Sequence, residues 1–187
     1  MMPIAAISTI ELPTERLLLR PPKPEDALDL LHYYHANRDH LRPWEPQHPD
    51  DFYTLPKLQQ SLIDRVEAME KGHAIHWLLI GRKSVGLQGE CNVTAIIRGP
   101  FQACYLGFSI AQGQGLMHEA LSTAIDFIFR GYRLNRIMAN YRPENRRCGQ
   151  LLARLGFEIE GKARAYLKIN GLWEDHLLTS RINSNAL

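Results

Sequence analysis

The chain has 187 residues, 45% of them apolar and 22% charged, enough to bury one sizeable core, and it reads as a single domain over 1–187. Lys and Arg total 22 against 20 Asp and Glu, a formal charge of +2, which excludes a strongly basic nucleic-acid binder and speaks against DNA as a partner. No apolar run reaches the ~20 residues of a membrane span, no signal-peptide pattern opens the chain, and three cysteines without a CxxC pair point to a reduced, cytoplasmic setting.

Arg16 to Arg20 (RLLLR) reads as a short strand, ended by Pro21, Pro22 and Pro24. Pro24, Glu25 and Asp26 open a helix with acids at its positive end, and Ala27, Leu30, Leu31 and Tyr34 form its apolar face. The proline-punctuated stretch from Leu41 to Tyr53 is loop. Leu58, Leu62, Val66 and Met69 recur at helical spacing and predict a second helix from about Pro56 to Lys71. Three strands follow, Ala74 to Gly81, Gly86 to Ile97 and Gln102 to Ile110. Leu116, Ala120, Leu121, Ala124, Ile125 and Ile128 then mark one face of a longer helix. Asn135 to Tyr141 returns as a strand, a short helix centred on Gln150 ends at Gly156, and two closing strands flank the turn Asn170-Gly171.

This order predicts an α/β domain around one mixed, mostly antiparallel sheet of about six to seven strands, flanked by four helices. A doubly wound dinucleotide fold is excluded, because Gly113 and Gly115 have no third glycine at the required offset. The stretch SIAQGQGLMHEAL, 109–121, sets a glycine turn against a helix start. On spacing alone it is either a packed turn or a seat for a pyrophosphate on Gly113, Gln114, Gly115, Leu116 and Met117.

Several motifs bear on that choice. Gln112-x-x-Gly115 followed by Leu116-Met117, Asn145-x-x-Cys148, and Leu155-Gly156-Phe157 occur in this order, alongside LRPWEP, IMANYRPEN and GLWEDHLLT. In these motifs the chain resembles the GNAT N-acetyltransferases, and within them the ribosomal-protein N-acetyltransferases of the RimJ/RimL type. The likeness runs from about Pro13 to Ile182. It implies the GNAT fold and acetyl-CoA as co-substrate, with Gln112 to Met117 as the pyrophosphate loop. It also implies that Phe108, Ser109 and Ile110 pair with the pantetheine arm, that Asn145 contacts that arm, and that a backbone N–H nearby faces the thioester oxyanion. One departure stands out: only Ala111 separates Ile110 from Gln112, where RimJ-like sequences place several more residues.

The resemblance places position 148 near the cofactor sulfur, where Cys148 either protonates the leaving thiolate or only packs. Leu152 occupies the place where many relatives carry an acidic tyrosine. Glu90 is the first candidate for general base, with Glu45 and Asp175 as alternatives. Trp44 and Glu45, in the loop where this family forms one wall of the acceptor site, are expected to bind substrate, with Tyr166 and Trp173 facing them. No His/Cys/acid spacing suggests a metal site. An N-terminal amine, with a pKa of about 7.7–8.0, is roughly one-third neutral near pH 7.5, whereas a lysine is neutral on the order of one part in a thousand. A weakly marked base therefore fits an N-terminal acceptor. The resemblance implies the N-terminal alanine of the fifth small-subunit ribosomal protein, acetylated by direct transfer, with association with the ribosome and a monomer or homodimer as further expectations. Another amine acceptor, or a non-catalytic acyl-CoA or ribosome-binding module, remains the alternative.

Overall fold

The computed structural model describes residues 9–49, 51–83, 86–111 and 115–184. Its elements are β1 (Leu12–Pro13), β2 (Leu17–Arg20), α1 (Ala27–Leu41), α2 (Leu55–Glu70), β3 (Ile75–Gly81), β4 (Leu87–Ile97), β5 (Ala103–Ile110), α3 (Met117–Phe127), β6 (Arg136–Met138), α4 (Arg146–Arg154), β7 (Glu158–Ile169) and β8 (Leu172–Ile182). A 3-10 turn, Pro24–Asp26, precedes α1, and a π turn, Ile128–Tyr132, extends α3. The strands form one sheet in the order β1-β2-β3-β4-β5-β6-β8-β7. Among the described residues only β5 and β6 run parallel. The sheet is thus the predicted mixed one with an eighth strand, the two-residue β1, which is too short to show any alternation in the sequence.

The main core packs α3 and α4 against one face of the sheet. Trp77, Leu79, Cys91, Val93 and Cys104 meet Ala120, Leu121, Ala124, Ile125 and Leu152 there. A smaller cluster on α1 and α2 holds Leu30, Tyr33, Tyr34, Leu58 and Leu62. Burial pushes the Cys91 and Cys104 thiols up to about 12, so both act as small apolar groups. The closing hairpin turns through Asn170 at φ 48° and Gly171 at φ 85°, the pair of left-handed residues that a two-residue turn between twisted strands requires.

Two local features position the site. The strand expected over Asn135 to Tyr141 shrinks to Arg136–Met138, and only Ala103↔Arg136, Cys104↔Ile137 and Tyr105↔Met138 join β5 to β6. Beyond Met138 the chain follows β8 instead. The Ala139 N–H donates to Thr179 O at 3.0 Å, and Tyr141 and Leu177 exchange backbone bonds of 3.2 and 2.8 Å. The sheet therefore splits, leaving Leu106 to Ile110 with one open edge.

On its other side, β5 is drawn close to β4 at Gly89, opposite Ile110. A Cβ there would lie 2.3 Å from Ser109 O and 3.0 Å from the Ile110 Cα, both backbone atoms that cannot swing aside. Gly89→Ala is therefore expected to destabilise the fold by about 1–3 kcal/mol, with Tm falling roughly 2–4 °C for each kcal/mol, as read by thermal denaturation.

Candidate active site

The split opens into a cavity of about 910 Å³. One wall is Leu106 to Ile110, the opposite wall runs from Ala139 into the first turns of α4, and the α1–α2 loop closes the end with Trp44 and Glu45. Backbone direction along β5 follows from its neighbours. Ala111 N–H donates to Gln88 O of β4 at 2.8 Å, whereas Gln102 O accepts from Asn135 and Arg136 on the β6 side. By strand alternation, Ser109 turns its backbone to β4, while Phe108 and Ile110 aim theirs into the split. The open edge thus offers backbone donors and acceptors to a linear amide-bearing chain lying alongside it.

Asn145 sets the opposite wall. Its Oδ1 accepts from Cys148 N–H at 3.1 Å, capping α4 and leaving its amide nitrogen for a bound group. Cys148 lines the cavity half-buried, and burial pushes its thiol up to about 12. Gly149 admits the Tyr141 ring, whose oxygen lies 2.6 Å from where a Cβ would stand. At the far end, α3 begins at Met117 without a side-chain cap among the described residues, and Gly115 before it has φ 60°. That first turn is fastened to β2, since Arg16 pairs with Glu119 at 2.8 Å and reaches Gly115 O at 3.3 Å. Gln112, Gly113 and Gln114, and with them the junction that follows Ala111, lie outside the described residues.

The two carboxylates have different surroundings. Glu90 is 3% exposed and does not line the cavity. One oxygen accepts from the Tyr34 hydroxyl at 2.6 Å, and the other is held by Arg65. It is a fixed negative charge beneath the cleft, on the strand next to Ser109. The Ser109 hydroxyl itself accepts from Tyr33 at 2.9 Å. Glu45 does line the cavity, and the His48 ring nitrogen, whose pKa burial pushes down, lies 3.8 Å from it. Burial, and then the Glu90 charge, push the Glu45 carboxyl up to about 7. Of the two, Glu45 has the access and the proton affinity of a base.

The substrate residues expected from sequence separate. Trp44 lies on the cavity wall, with the Arg142 guanidinium 5.9 Å from its ring centroid. Tyr166 lies behind the wall, accepting from the Asn140 amide at 3.0 Å and packing on His176. Trp173 is 64% exposed near the hairpin turn, away from the cavity lining. Arg142, not among the residues expected at the substrate wall, donates to Pro43 O at 3.1 Å and pairs with Glu174 at 3.3 Å, tying the Trp44 loop to β8. Its place next to Tyr141 in the strand-to-helix link was visible, but a partner 99 residues away was not.

A split sheet with an open parallel edge, a helix start at one end and a carboxylate at the other defines an acyl-transfer cleft. Residues 16–158 match the acetyltransferase (GNAT) domain family. A relative from Escherichia coli K12, [ribosomal protein uS5]-alanine N-acetyltransferase, is 43% identical over 178 residues, 93% of this chain and 91% of the relative. The crystal structure of ribosomal-protein-S5-alanine acetyltransferase from Vibrio fischeri superposes with a TM-score of 0.89 at 37% identity, covering 95% of this chain and 99% of that one. Mycobacterium smegmatis RimJ, in complex with CoA-disulfide, gives 0.88 at 25% identity, covering 94% and 88%. The chain belongs to the GNAT family of N-acetyltransferases, in its RimJ/RimL type.

Because folding raises the Glu45 pKa from its ordinary 4.5 to about 7, this carboxyl favours the fold only while protonated. That contribution is complete below about pH 4.5 and is lost as pH rises through about 7. Glu45→Gln is uncharged throughout. Thermal melts across pH should therefore show the variant gaining stability over wild type above about pH 7.5, the gain vanishing near pH 4.

Proposed function

We propose that this enzyme transfers the acetyl group of acetyl-CoA to the N-terminal amine of a ribosomal protein, the N-terminal alanine of uS5. The supporting observation is the cleft itself, an open Phe108–Ile110 edge facing the Asn145 wall, with a titrating carboxylate, Glu45, at the acceptor end. The 43% identical relative is named for that acceptor and is matched over almost its whole length.

The pantetheine arm would lie along Phe108 and Ile110, met across the cleft by the Asn145 amide. Its pyrophosphate would take the first turn of α3, with Gln112, Gly113, Gln114, Gly115, Leu116 and Met117. The co-substrate supplies an activated acetyl thioester. The acceptor enters past Trp44, and Glu45 takes a proton from its ammonium group. The neutral nitrogen attacks the thioester carbonyl, forming the C–N bond, while the Ile110 N–H faces the oxyanion. The carbonyl then re-forms as the C–S bond breaks and thiolate leaves, and the nitrogen gives up its second proton to solvent.

Cys148 makes a poor proton donor for that thiolate. A thiol near 12 giving its proton to a thiolate of ordinary pKa, about 8.5, is uphill by roughly 5 kcal/mol. At neutral pH water can protonate the thiolate instead, and we assign Cys148 to the wall.

Mass spectrometry of ribosomal proteins incubated with the enzyme and acetyl-CoA should show a single 42 Da addition at the uS5 N-terminus; no added mass there would reject this acceptor. In kcat/KM profiles the acidic limb should lie near pH 7, and in Glu45→Gln it should move up to the acceptor amine's own pKa of about 7.7–8.0, with a fall of about 10²–10³. Glu90→Gln, which removes the charge that raises Glu45, should move the limb to lower pH. Cys148→Ala should stay within about threefold of wild type in kcat/KM; a loss of a hundredfold would return Cys148 to catalysis.

A further inference from the structure

Beside the main cavity lies a second one of about 440 Å³, and the two share Glu45. Arg38, Arg42, His48, Tyr53 and Asn170 contribute to its lining. Several arginines of the fold are neutralised by acids. Arg16, Arg20, Arg65, Arg136 and Arg142 each pair with a carboxylate. Among the described residues, Arg38 and Arg42 have no acidic partner.

These two arginines stand one helical turn apart at the end of α1, where cations are favoured, so both guanidiniums reach the same side. The Arg38 guanidinium lies 6.0 Å from the Tyr53 ring centroid. Burial and the Glu45 charge push the Tyr53 hydroxyl up, while Arg38 and Arg42 pull it down, and all four residues line the cavity. The floor is fixed: Asn170 donates to Arg42 O at 3.0 Å, and His48 stacks on Phe52 with centroids 3.8 Å apart. Two unpaired arginines beside a phenol, on a floor held by the hairpin turn, suit a carboxylate.

We propose that this second cavity is a specificity subsite for an acidic side chain of the acceptor polypeptide, two to four residues beyond its acetylated N-terminus. The placement rests on the reading above, in which Glu45 holds the acceptor amine. An extended chain leaving Glu45 covers about 3.3–3.6 Å per residue, so its next few residues pass across the adjoining cavity. A carboxylate there meets Arg38 and Arg42, whereas a nucleic-acid backbone would also carry its phosphates past Glu45 and, beneath it, Glu90. The subsite would let the enzyme choose among chains that share an N-terminal alanine.

The test uses synthetic octapeptides beginning with alanine, in which one glutamate is moved through positions two to six and compared with glutamine at the same place. Steady-state kinetics by CoA release should show a preference of about tenfold in kcat/KM for glutamate at one of positions three to five, carried mainly by KM. In Arg38→Gln/Arg42→Gln that preference should collapse to about one. In Arg42→Glu it should invert in favour of lysine at the same position, an outcome that general damage to the fold would not produce. Equal kinetics for glutamate and glutamine peptides at every position would overturn the subsite while leaving the acceptor reading intact. If no alanine peptide is turned over, the acceptor reading fails instead. Fluorescence anisotropy of labelled peptides then decides the subsite, since equal affinities for glutamate and glutamine forms overturn it. Tight binding of a duplex RNA oligonucleotide, lost in the double variant while acidic peptides bind indifferently, would assign the arginines to nucleic acid and also overturn it.

Discussion

The function of this molecule depends on where one backbone pairing stops. Strands β5 and β6 are parallel for three residue pairs and then part, because the chain beyond Met138 follows β8. Unpaired strand edges are normally covered or blunted, since they invite other strands to add. Here the edge is kept open inside a cleft, where it can accept a linear amide-bearing arm and little else. Gly89 supports it from the far side by letting β4 press against Ser109 and Ile110, so the edge is held rigid without a second neighbour. Asn145 completes the arrangement by spending one polar atom on the α4 cap and keeping the other for the cleft.

Beneath the cleft, charge is organised around the buried carboxylate of Glu90. Glu90 is locked by Tyr34 and Arg65 on helices that cover the opposite face of the sheet from α3 and α4. A buried charge of this kind is tolerable only with its partner and hydrogen bonds in place, and it contributes more to what surrounds it than to net stability. Its field, added to burial, leaves Glu45 protonating near neutrality while remaining within reach of the cleft. One carboxylate is thus closed in and the other stays accessible, a division set by environment rather than by residue type. The same loop carries Trp44, and Arg142 anchors it to β8, so that end of the cleft is stapled across the molecule.

Much of this was legible from residue patterns. Helical periodicity located α2 and α3 to within a residue or two, and the turn chemistry of Asn170-Gly171 fixed the closing hairpin. The motifs around Gly115, Asn145 and Leu155 led to the right family. Glu90 was the less legible residue: a carboxylate in mid-strand reads as a base until its two oxygens are seen to be occupied. Tyr166 and Trp173 were grouped by their nearness to the hairpin turn. Successive strand residues face opposite sides, and bulges in the β7–β8 register carry one behind the wall and the other into the open.

By itself, then, the sequence determined what is local or repeated: which segments coil or extend, where turns must fall, and which signature motifs mark the family. Those follow from backbone sterics and from short-range spacing. The tertiary structure alone decided the rest: that β6 leaves β5 after three pairs, that Arg65 reaches Glu90 across 25 positions, and that Arg142 holds a loop 99 residues away. Those contacts depend on how distant segments pack and on how burial and neighbouring charge shift a proton, and no window of sequence contains both partners.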